Sequence, residues 1–263
     1  MARVITPVLK VASSPDAHVT LTGDGSWHLE VPAGAAGNYR IAQIDDYTGL
    51  PRRKFPWYPP ITFSLRARAS AENLPGTWGF GLWNDPFSLS LGLGGAMRRF
   101  PALPKAAWFF HASPPNYLSL RDDLPAQGFL AATFRSASVP APVLAALSPG
   151  LILFTLPFVT RLLRRLARRL IRQDAVLAGA SNGFITTDWH AYQIRWNQDN
   201  VIFSVDGEIR LDTPVSPRGP LGLVLWIDNQ YAASPPNGKL SFGTQPSPEP
   251  AWIDIGDIQL VLP

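Results

Sequence analysis

Apolar and polar residues alternate along two long parts of this chain, and the alternation predicts β-strands. Across residues 18–137, and again from residue 182 onward, apolar residues recur at every second position in short runs. Alternate positions of a strand point to opposite faces, so this spacing indicates strands with one buried face. Turn residues separate the runs, as at Gly23-Asp24-Gly25 and at 197–200. Short strands with such punctuation predict an antiparallel sandwich or jelly roll rather than βαβ units.

One segment between the two strand-rich parts has a different pattern. Residues 136–160 carry no charge, and six arginines follow within residues 161–172. The arginines recur at spacings of three and one, which places them on one stripe of a helix with a period of 3.6. Leucines occupy the rest of that helical surface. We therefore predict one all-β domain over residues 1–263, with an apolar and cationic helical insertion at 136–180.

Composition narrows the classes of protein that fit. Hydrophobic residues make up 46% of the 263 positions and charged residues 16%, which excludes a disordered chain. The 27 prolines and 21 glycines argue against a helical bundle. No cysteine is present, so disulfides and thiolate chemistry are excluded.

Charge and the N-terminal residues bear on partners and location. The net charge is +4, but outside residues 161–172 there are 17 basic and 19 acidic residues. A basic face spread over the fold is therefore missing, which argues against nucleic acid as a partner. Pro7 and Lys10 interrupt the first apolar stretch, which makes it too broken for a signal peptide. The expected location is cytoplasmic or peripheral to a membrane.

A family resemblance appears at residues 190–207, HAYQIRWNQDNVIFSVDG. The spacing of His190, Tyr192, Trp196 and the Val205-Asp206-Gly207 turn resembles glycoside hydrolase family sixteen, within the concanavalin A-like lectin/glucanase superfamily. Three more stretches resemble strands of that family in the same order, namely LPGTWGFGLWND, PLGLVLWIDNQ and WIDIGDIQLVL. The resemblance covers residues 19–262 without the insertion. It implies a concanavalin A-like jelly roll with a concave groove.

The chain departs from the family where the family carries its catalytic motif. Retaining hydrolysis needs a nucleophile and an acid/base carboxylate about 5–5.5 Å apart, which the family supplies as E-x-D-x-x-E on one strand. The corresponding residues 105–116, KAAWFFHASPPN, contain no carboxylate. We therefore expect no family-sixteen hydrolysis. A relocated carboxylate pair remains an alternative, and its candidates near strand ends are Asp85, Asp122, Asp123 and Asp228.

The strands that the resemblance places in the groove carry aromatic and polar side chains suited to a ligand. The candidate ligand-binding residues are Trp78, Trp83, Asn84, Trp108, Trp226, Asp228 and Asn229. Aromatic faces beside amides and carboxylates suit sugar rings, so we predict binding of a glycan or of an amphiphilic, glycolipid-like ligand. Core packing is the alternative interpretation of each tryptophan.

A different class of function is also open, namely an enzyme acting on a hydrophobic or glycosidic substrate in a pocket closed by residues 136–172. His111 or Asp85 would then transfer the proton, although His111 also fits a purely structural role. Pocket geometry discriminates between the classes. An open groove favours glycan binding, whereas a closed cavity with a buried titratable group favours catalysis or lipid carriage.

The insertion itself has three interpretations. Prolines divide its apolar part into pieces too short to span a bilayer. It is instead an in-plane membrane helix over residues 143–172, a lid over the groove, or a docking element for an acidic partner. The residues assigned to the membrane or lid contact are Leu151, Leu153, Phe154, Phe158, Arg161, Arg164, Arg165, Arg168, Arg169 and Arg172.

One metal ligand is implied by the resemblance alone. Asp257 corresponds to a calcium-binding aspartate of the resembling hydrolases, which implies a structural calcium ion. A single aspartate supplies few of the six to eight oxygens that calcium takes. No other cofactor is predicted.

Overall fold

The computed structural model describes residues 2–86, 102–140, 142–144, 157–179, 183–236 and 240–263, without the side chains of 157–161 and 163. It confirms the antiparallel β-sandwich. The strands are β1 (Arg3–Ile5), β2 (Lys10–Ser13), β3 (His18–Leu21), β4 (Trp27–Val31), β5 (Ile41–Asp45), β6 (Ile61–Ala69), β7 (Thr77–Trp83), β8 (Ala106–Ala112), β9 (Gly128–Ser136), β10 (Ile171–Leu177), β11 (His190–Trp196), β12 (Val201–Val205), β13 (Glu208–Thr213), β14 (Gly222–Asp228), β15 (Gln230–Ala233), β16 (Ser241–Thr244) and β17 (Ala251–Leu262). Helix α1 spans Pro157–Leu170, and a 3-10 turn spans Arg52–Lys54.

Two large sheets form the layers of the sandwich. The eight-stranded sheet has the order β13-β12-β11-β6-β17-β4-β3, with β1 paired to β17. The seven-stranded sheet has the order β10-β9-β8-β7-β14-β5-β2. A small third sheet joins β15 to β16. Neighbours in both large sheets run antiparallel, as the short, turn-separated strands predict.

The β11–β12–β13 meander shows how the local sequence sets the register. Asp206 and Gly207 have φ angles of 51° and 81°, the left-handed conformation that a tight hairpin turn requires and that glycine adopts readily. Val205 thereby pairs with Glu208 across this turn. On the other side of β12, Tyr192 pairs with Val205 and Trp196 with Val201. Tyr192, Ile194 and Trp196 all face the other sheet.

The main core fills the space between the two sheets. Trp196 is 0% exposed there, and its indole N–H donates to the carbonyl of Pro217 at 3.0 Å. The largest of its other members with almost no exposure are Trp78, Phe63, Phe80, Phe109 and Phe203. A second apolar cluster lies on the opposite face of the seven-stranded sheet.

The arginine helix is present but shorter than its periodicity predicts. Helix α1 ends at Leu170, and Ile171–Leu177 form the edge strand β10, paired with β9. Arg172 is therefore a strand residue, which corrects its assignment to the helical stripe. Helical spacing cannot reveal this change, because strand pairing with β9 is a contact between distant parts of the chain. Among the described residues, no helix combines the length and hydropathy needed to cross a bilayer.

Candidate functional site

Three tryptophans meet on the face of the seven-stranded sheet that points away from the eight-stranded sheet, here called the outer face. They are Trp83 on β7, Trp108 on β8 and Trp226 on β14, here called the tryptophan triad. The Trp83 and Trp226 rings lie 6.2 Å apart and 5° from parallel. Trp108 lies 5.7 Å from Trp83 and 5.6 Å from Trp226. The predicted grouping of these three residues is thus present.

Two glycines of the central strand β7 make room for the triad. Gly79 pairs with Trp226 and Phe110, and Gly81 pairs with Trp108. A Cβ atom added at Gly81 would lie 2.6 Å from the Cβ of Trp108, and one at Gly79 would lie 2.8 Å from the Cβ of Phe110. Any side chain at either position would therefore push the neighbouring aromatic residue away from the sheet.

The rest of the outer face is apolar and largely covered. Trp108 is 8% exposed and Trp226 is 9% exposed, whereas Trp83 is only partly buried. The buried apolar residues beside the triad include Ala106, Phe110, Ala112, Leu130, Ala132, Phe134, Ile171, Ala175 and Val224. Leucines of the 113–127 loop, and Ala167 and Leu170 of α1, pack against this cluster. The described outer face is therefore a covered apolar surface rather than an open polar groove.

The three indole N–H groups differ in their hydrogen bonding. Trp83 donates to the hydroxyl of Tyr47 at 2.8 Å, and Trp226 donates to the hydroxyl of Thr77 at 3.0 Å. The N–H of Trp108 is buried and has no acceptor among the described residues. A buried donor without a partner costs about 1–3 kcal/mol, so an acceptor atom brought to Trp108 would relieve this cost.

Asp228 forms the polar end of the outer face. Its Oδ1 accepts hydrogen bonds from the hydroxyl of Thr77 at 2.9 Å and from the amide of Gln230 at 3.1 Å. The hydroxyl of Tyr39 lies 3.4 Å from its Oδ2. Burial raises the pKa of Asp228 to about 7, and the hydrogen bond from Thr77 offsets only part of that effect. This carboxyl group is therefore partly protonated at neutral pH.

Two predicted groove residues lie on the opposite face of the same strands. Trp78 and His111 point between the sheets, are 1% and 4% exposed, and stack with ring centroids 6.0 Å apart. Burial lowers the pKa of His111 to about 4, and its Nδ1 has no hydrogen-bond partner in the described part of the chain. The prediction that they line the groove is therefore wrong. Successive residues of a strand point to opposite faces, and Trp78 is an odd number of positions from Trp83, so the two face opposite ways. The same holds for His111 and Trp108.

The two asparagine side chains predicted to contact a ligand are instead hydrogen-bonded to the backbone. Asn229 is 0% exposed; its Oδ1 accepts from the Arg40 amide at 2.9 Å, and its Nδ2 donates to the carbonyls of Asn38 and Gln245. Asn84 likewise donates to the carbonyl of Leu103 and accepts from the amide of Lys105. Both side chains fix loops, so their assignment to ligand contact is corrected.

Asp85, the second candidate for proton transfer, follows the end of β7. It is 7% exposed and has a φ angle of 46°. Its carbonyl accepts from the Arg52 side chain, with Nη2 at 2.5 Å. This contact positions the backbone at the end of β7.

The positions of the carboxylates bear on hydrolysis. All 19 acidic residues lie in the described parts of the chain. Asp45 and Asp228 lie on strands of the outer face, but Asp45 pairs with Val224, four positions before Asp228 on β14. At about 3.3 Å per residue they are ~13 Å apart along the sheet, well beyond the separation that retaining catalysis needs. Asp45 also accepts from the amides of Tyr47 and Thr48.

The other relocated candidates, Asp122 and Asp123, are paired with arginines. Asp122 binds Arg164 at 2.7 Å and Arg168 at 2.6 Å. Asp123 binds Arg121 through both of its carboxylate oxygens. Hydrogen bonds from these arginines hold the pKa values of both carboxyl groups below the usual range. Neither carboxylate is therefore suited to act as an acid at neutral pH.

Asp257 is an exposed residue of β17, at the irregularity between Gly256 and Gln259 where the register with β6 shifts. Its φ angle is 55°, and the nearest charged group is the Nε of Arg66 at 3.7 Å. Within the described residues, no group of three or more His, Asp or Glu is arranged to hold a metal ion. A calcium ion at Asp257 stays a prediction from the resemblance.

The insertion residues fall into several environments. Leu151, Leu153 and Phe154 lie outside the described residues, as do the side chains of Phe158 and Arg161. Arg164 is 6% exposed and points into the protein, which corrects its assignment to a membrane or lid surface. Arg165 and Arg169 are exposed. A cleft of about 190 Å³ next to α1 is lined by Arg121, Arg168, Ile171, Arg172, Gln173 and Val215.

Several residues that shape the site were not identified from the sequence. Thr77 and Tyr47 hold the indole N–H groups, while Phe110 and Leu130 extend the apolar row. Thr77 is an even number of positions from Trp83 on β7, so strand alternation alone would have placed it on the same face as the triad. The role of Tyr47 depends on a loop conformation that alternation does not encode.

Comparison with solved structures finds the same kind of fold in proteins of low sequence identity. The κ-carrageenase of Pseudoalteromonas carrageenovora, in complex with an oligotetrasaccharide of κ-carrageenan, matches over 97% of this chain and 88% of its own, with 9% identity and a TM-score of 0.50. A family 16 glycoside hydrolase of Bacteroides ovatus matches over 94% of this chain and 85% of its own, with 11% identity and a TM-score of 0.48. A Thermotoga petrophila laminarinase matches over 95% of this chain and 81% of its own, with 13% identity and a TM-score of 0.47.

These findings confirm the predicted fold. The match to the κ-carrageenase supports a two-layer sandwich of the concanavalin A-like fold. No family model and no curated protein sequence matches this chain. At 9% identity the likeness describes the architecture and does not transfer an activity.

Proposed function

We propose that this protein binds an amphiphilic, glycan-bearing ligand on its outer face and does not hydrolyse it. The tryptophan triad carries this proposal. A sugar ring would stack against the partly exposed Trp83, and the hydrocarbon part would lie against the partly buried apolar residues at the border of the apolar cluster around the triad, such as Leu50 and Leu103. Aromatic rings offer a flat apolar surface to the C–H faces of sugars.

The apolar character of the outer face supports an amphiphile rather than a free oligosaccharide. The outward residues of β8 are Ala106, Trp108, Phe110 and Ala112, and none of them offers a polar group except the indole N–H. Ligand pockets of this kind bind mainly through apolar contact and use few polar groups for orientation. The unpaired N–H of Trp108 and the carboxyl group of Asp228 are such groups.

The carboxylates support binding without hydrolysis. The outer face of β8 carries no acidic residue, and the two acidic residues on neighbouring strands are ~13 Å apart. The κ-carrageenase with a similar sandwich was solved with an oligosaccharide, which is consistent with glycan recognition by this architecture.

Tryptophan fluorescence provides a direct test. We expect octyl β-glucoside below its critical micelle concentration to change the emission with saturation, and a glucose tetrasaccharide to bind at least tenfold more weakly. Trp83→Ala should weaken octyl glucoside binding at least tenfold, because it removes the accessible ring of the triad. Trp189→Ala is the matched control, since this partly buried indole lies away from the outer face. The Cζ atoms of Arg66 and Arg68 lie 5.1 and 5.2 Å from the centre of its ring.

Two outcomes would overturn the proposal. One is equal affinity of Trp83→Ala and the unmodified protein for octyl glucoside. The other is release of glucose from the ligand during the titration, measured with a coupled glucose assay.

A second function is favoured by the protonation state of Asp228. A buried carboxyl group with a pKa of about 7 beside Trp226 is suited to general acid catalysis. The protein would then act on a hydrophobic or glycosidic substrate in a pocket closed by residues 136–172. Turnover of octyl glucoside that Asp228→Asn abolishes would establish this function and exclude pure binding.

A further inference from the structure

Helix α1 is attached to the sandwich through two of its arginines as well as through Ala167 and Leu170. Arg164 donates to the carbonyl of Ser119 at 2.9 Å and to the carboxylate of Asp122 at 2.7 Å. Arg168 donates to the carbonyl of Leu120 at 2.5 Å and to the same carboxylate at 2.6 Å. These bonds fix the orientation of the helix.

The opposite side of α1 presents leucines to solvent. Leu162 is 55% exposed and Leu166 is 46% exposed, and the two lie one turn apart on the same face. A surface helix of a globular protein normally turns such residues toward the core. Because Arg164 and Arg168 fix the other side against the 113–127 loop, Leu162 and Leu166 face solvent rather than the described part of the core.

Two free cations flank the exposed leucines. Arg165 and Arg169 are exposed and make no hydrogen bond or ion pair with any described residue, while Arg164 and Arg168 share Asp122. The sequence has no acidic residue between Asp123 and Asp174. The outward face of α1 therefore combines an apolar strip with unneutralised positive charge.

We propose that this outward face docks in the plane of an anionic lipid surface. Leu162 and Leu166 would enter the boundary between headgroups and acyl chains, and Arg165 and Arg169 would contact lipid phosphates. An in-plane helix with aliphatic residues on one side and flanking arginines is the form that such surfaces bind. Each arginine near an anionic leaflet contributes about 1 kcal/mol of binding. This inference does not depend on the ligand of the outer face.

Vesicle flotation tests the proposal with the full chain. We expect binding to vesicles of 70% phosphatidylcholine and 30% phosphatidylserine, weaker binding to pure phosphatidylcholine, and release as salt is raised. Arg165→Gln/Arg169→Gln should weaken binding to anionic vesicles roughly 30-fold. Leu162→Gln/Leu166→Gln should abolish binding to both vesicle types.

Matched controls remove the same groups elsewhere. Arg53→Gln/Lys54→Gln removes two exposed cations from the 3-10 turn, and Ile209→Gln removes a side chain that is 57% exposed. Both should float like the unmodified protein, and every variant should keep its thermal midpoint because these side chains face solvent.

Three results would overturn the proposal. They are failure of the unmodified protein to float with anionic vesicles, equal losses in the control and α1 variants, and a stable dimer in solution that Leu162→Gln/Leu166→Gln converts to a monomer. The last result would assign the leucines to a contact between two copies of the chain.

Discussion

The two faces of the seven-stranded sheet carry similar aromatic residues and have different properties. On the inter-sheet face Trp78, Phe80 and Phe109 are at most 1% exposed and contact the opposite sheet. On the outer face the triad packs around two glycines, has two hydrogen-bonded indole N–H groups, and leaves Trp83 partly accessible. The side of the strand that an aromatic residue occupies, rather than its identity, therefore separates core from candidate site.

The largest expected difference between the faces is in stability. Trp78→Ala should lower the free energy of unfolding by about 3–5 kcal/mol, because it leaves a large cavity between the sheets. Trp83→Ala should lower it by about 1 kcal/mol, since part of this ring already contacts solvent. Urea denaturation of both variants measures the difference, and equal losses would contradict the distinction between the faces.

A smaller effect is expected from filling the space under the triad. Gly79→Ala should destabilise the protein by about 1–3 kcal/mol, because the new Cβ would lie 2.4 Å from the carbonyl oxygen of Phe109. It should also shift the tryptophan emission as Phe110 and Trp226 move. Gly23→Ala is the control, since an added Cβ there meets nothing within 4 Å. A neutral Gly79→Ala would show that β7 and β8 are not packed this closely.

The pH dependence of stability should differ in sign between the faces. His111 is neutral in the folded protein down to its pKa of about 4, whereas its ordinary pKa is 6.5. Between these values the unfolded chain binds the extra proton, so this residue makes stability rise with pH by up to about 1.4 kcal/mol per pH unit.

Asp228 acts in the opposite direction. Its carboxyl group stays protonated in the folded protein up to about pH 7, whereas its ordinary pKa is 3.8. Across that range the unfolded chain has lost the proton, so this residue makes stability fall as pH rises. Asp46, whose pKa burial raises to about 6, adds a slope of the same sign.

Urea denaturation from pH 4 to 7 separates these contributions. Relative to the unmodified protein, His111→Gln should make stability fall more steeply as pH rises, and Asp228→Asn should make it rise more. Asp46 is unchanged in both variants and so cancels in each comparison. Parallel curves for both variants would refute the two buried environments.

Much of the architecture followed from local pattern. Alternation predicted most of the strands, and the turn at 197–200 predicted the β11–β12 hairpin. The resemblance predicted the neighbouring strands β7, β8 and β14 that carry the triad. Knowing which strands are neighbours could not separate Trp78 and His111 from the triad, because it does not tell which face of the strand each side chain occupies.

By itself, the sequence determined the sandwich, the absence of a carboxylate on β8, and the presence of an arginine-rich helix. Those properties depend on residue spacing and composition over short distances. Only the tertiary structure decided that the Asn229 side chain bonds to backbone groups, that the pKa of Asp228 is raised, and that Leu162 and Leu166 of α1 face outward. Each of these results depends on groups distant in the chain, since burial and hydrogen-bond partners are set by packing.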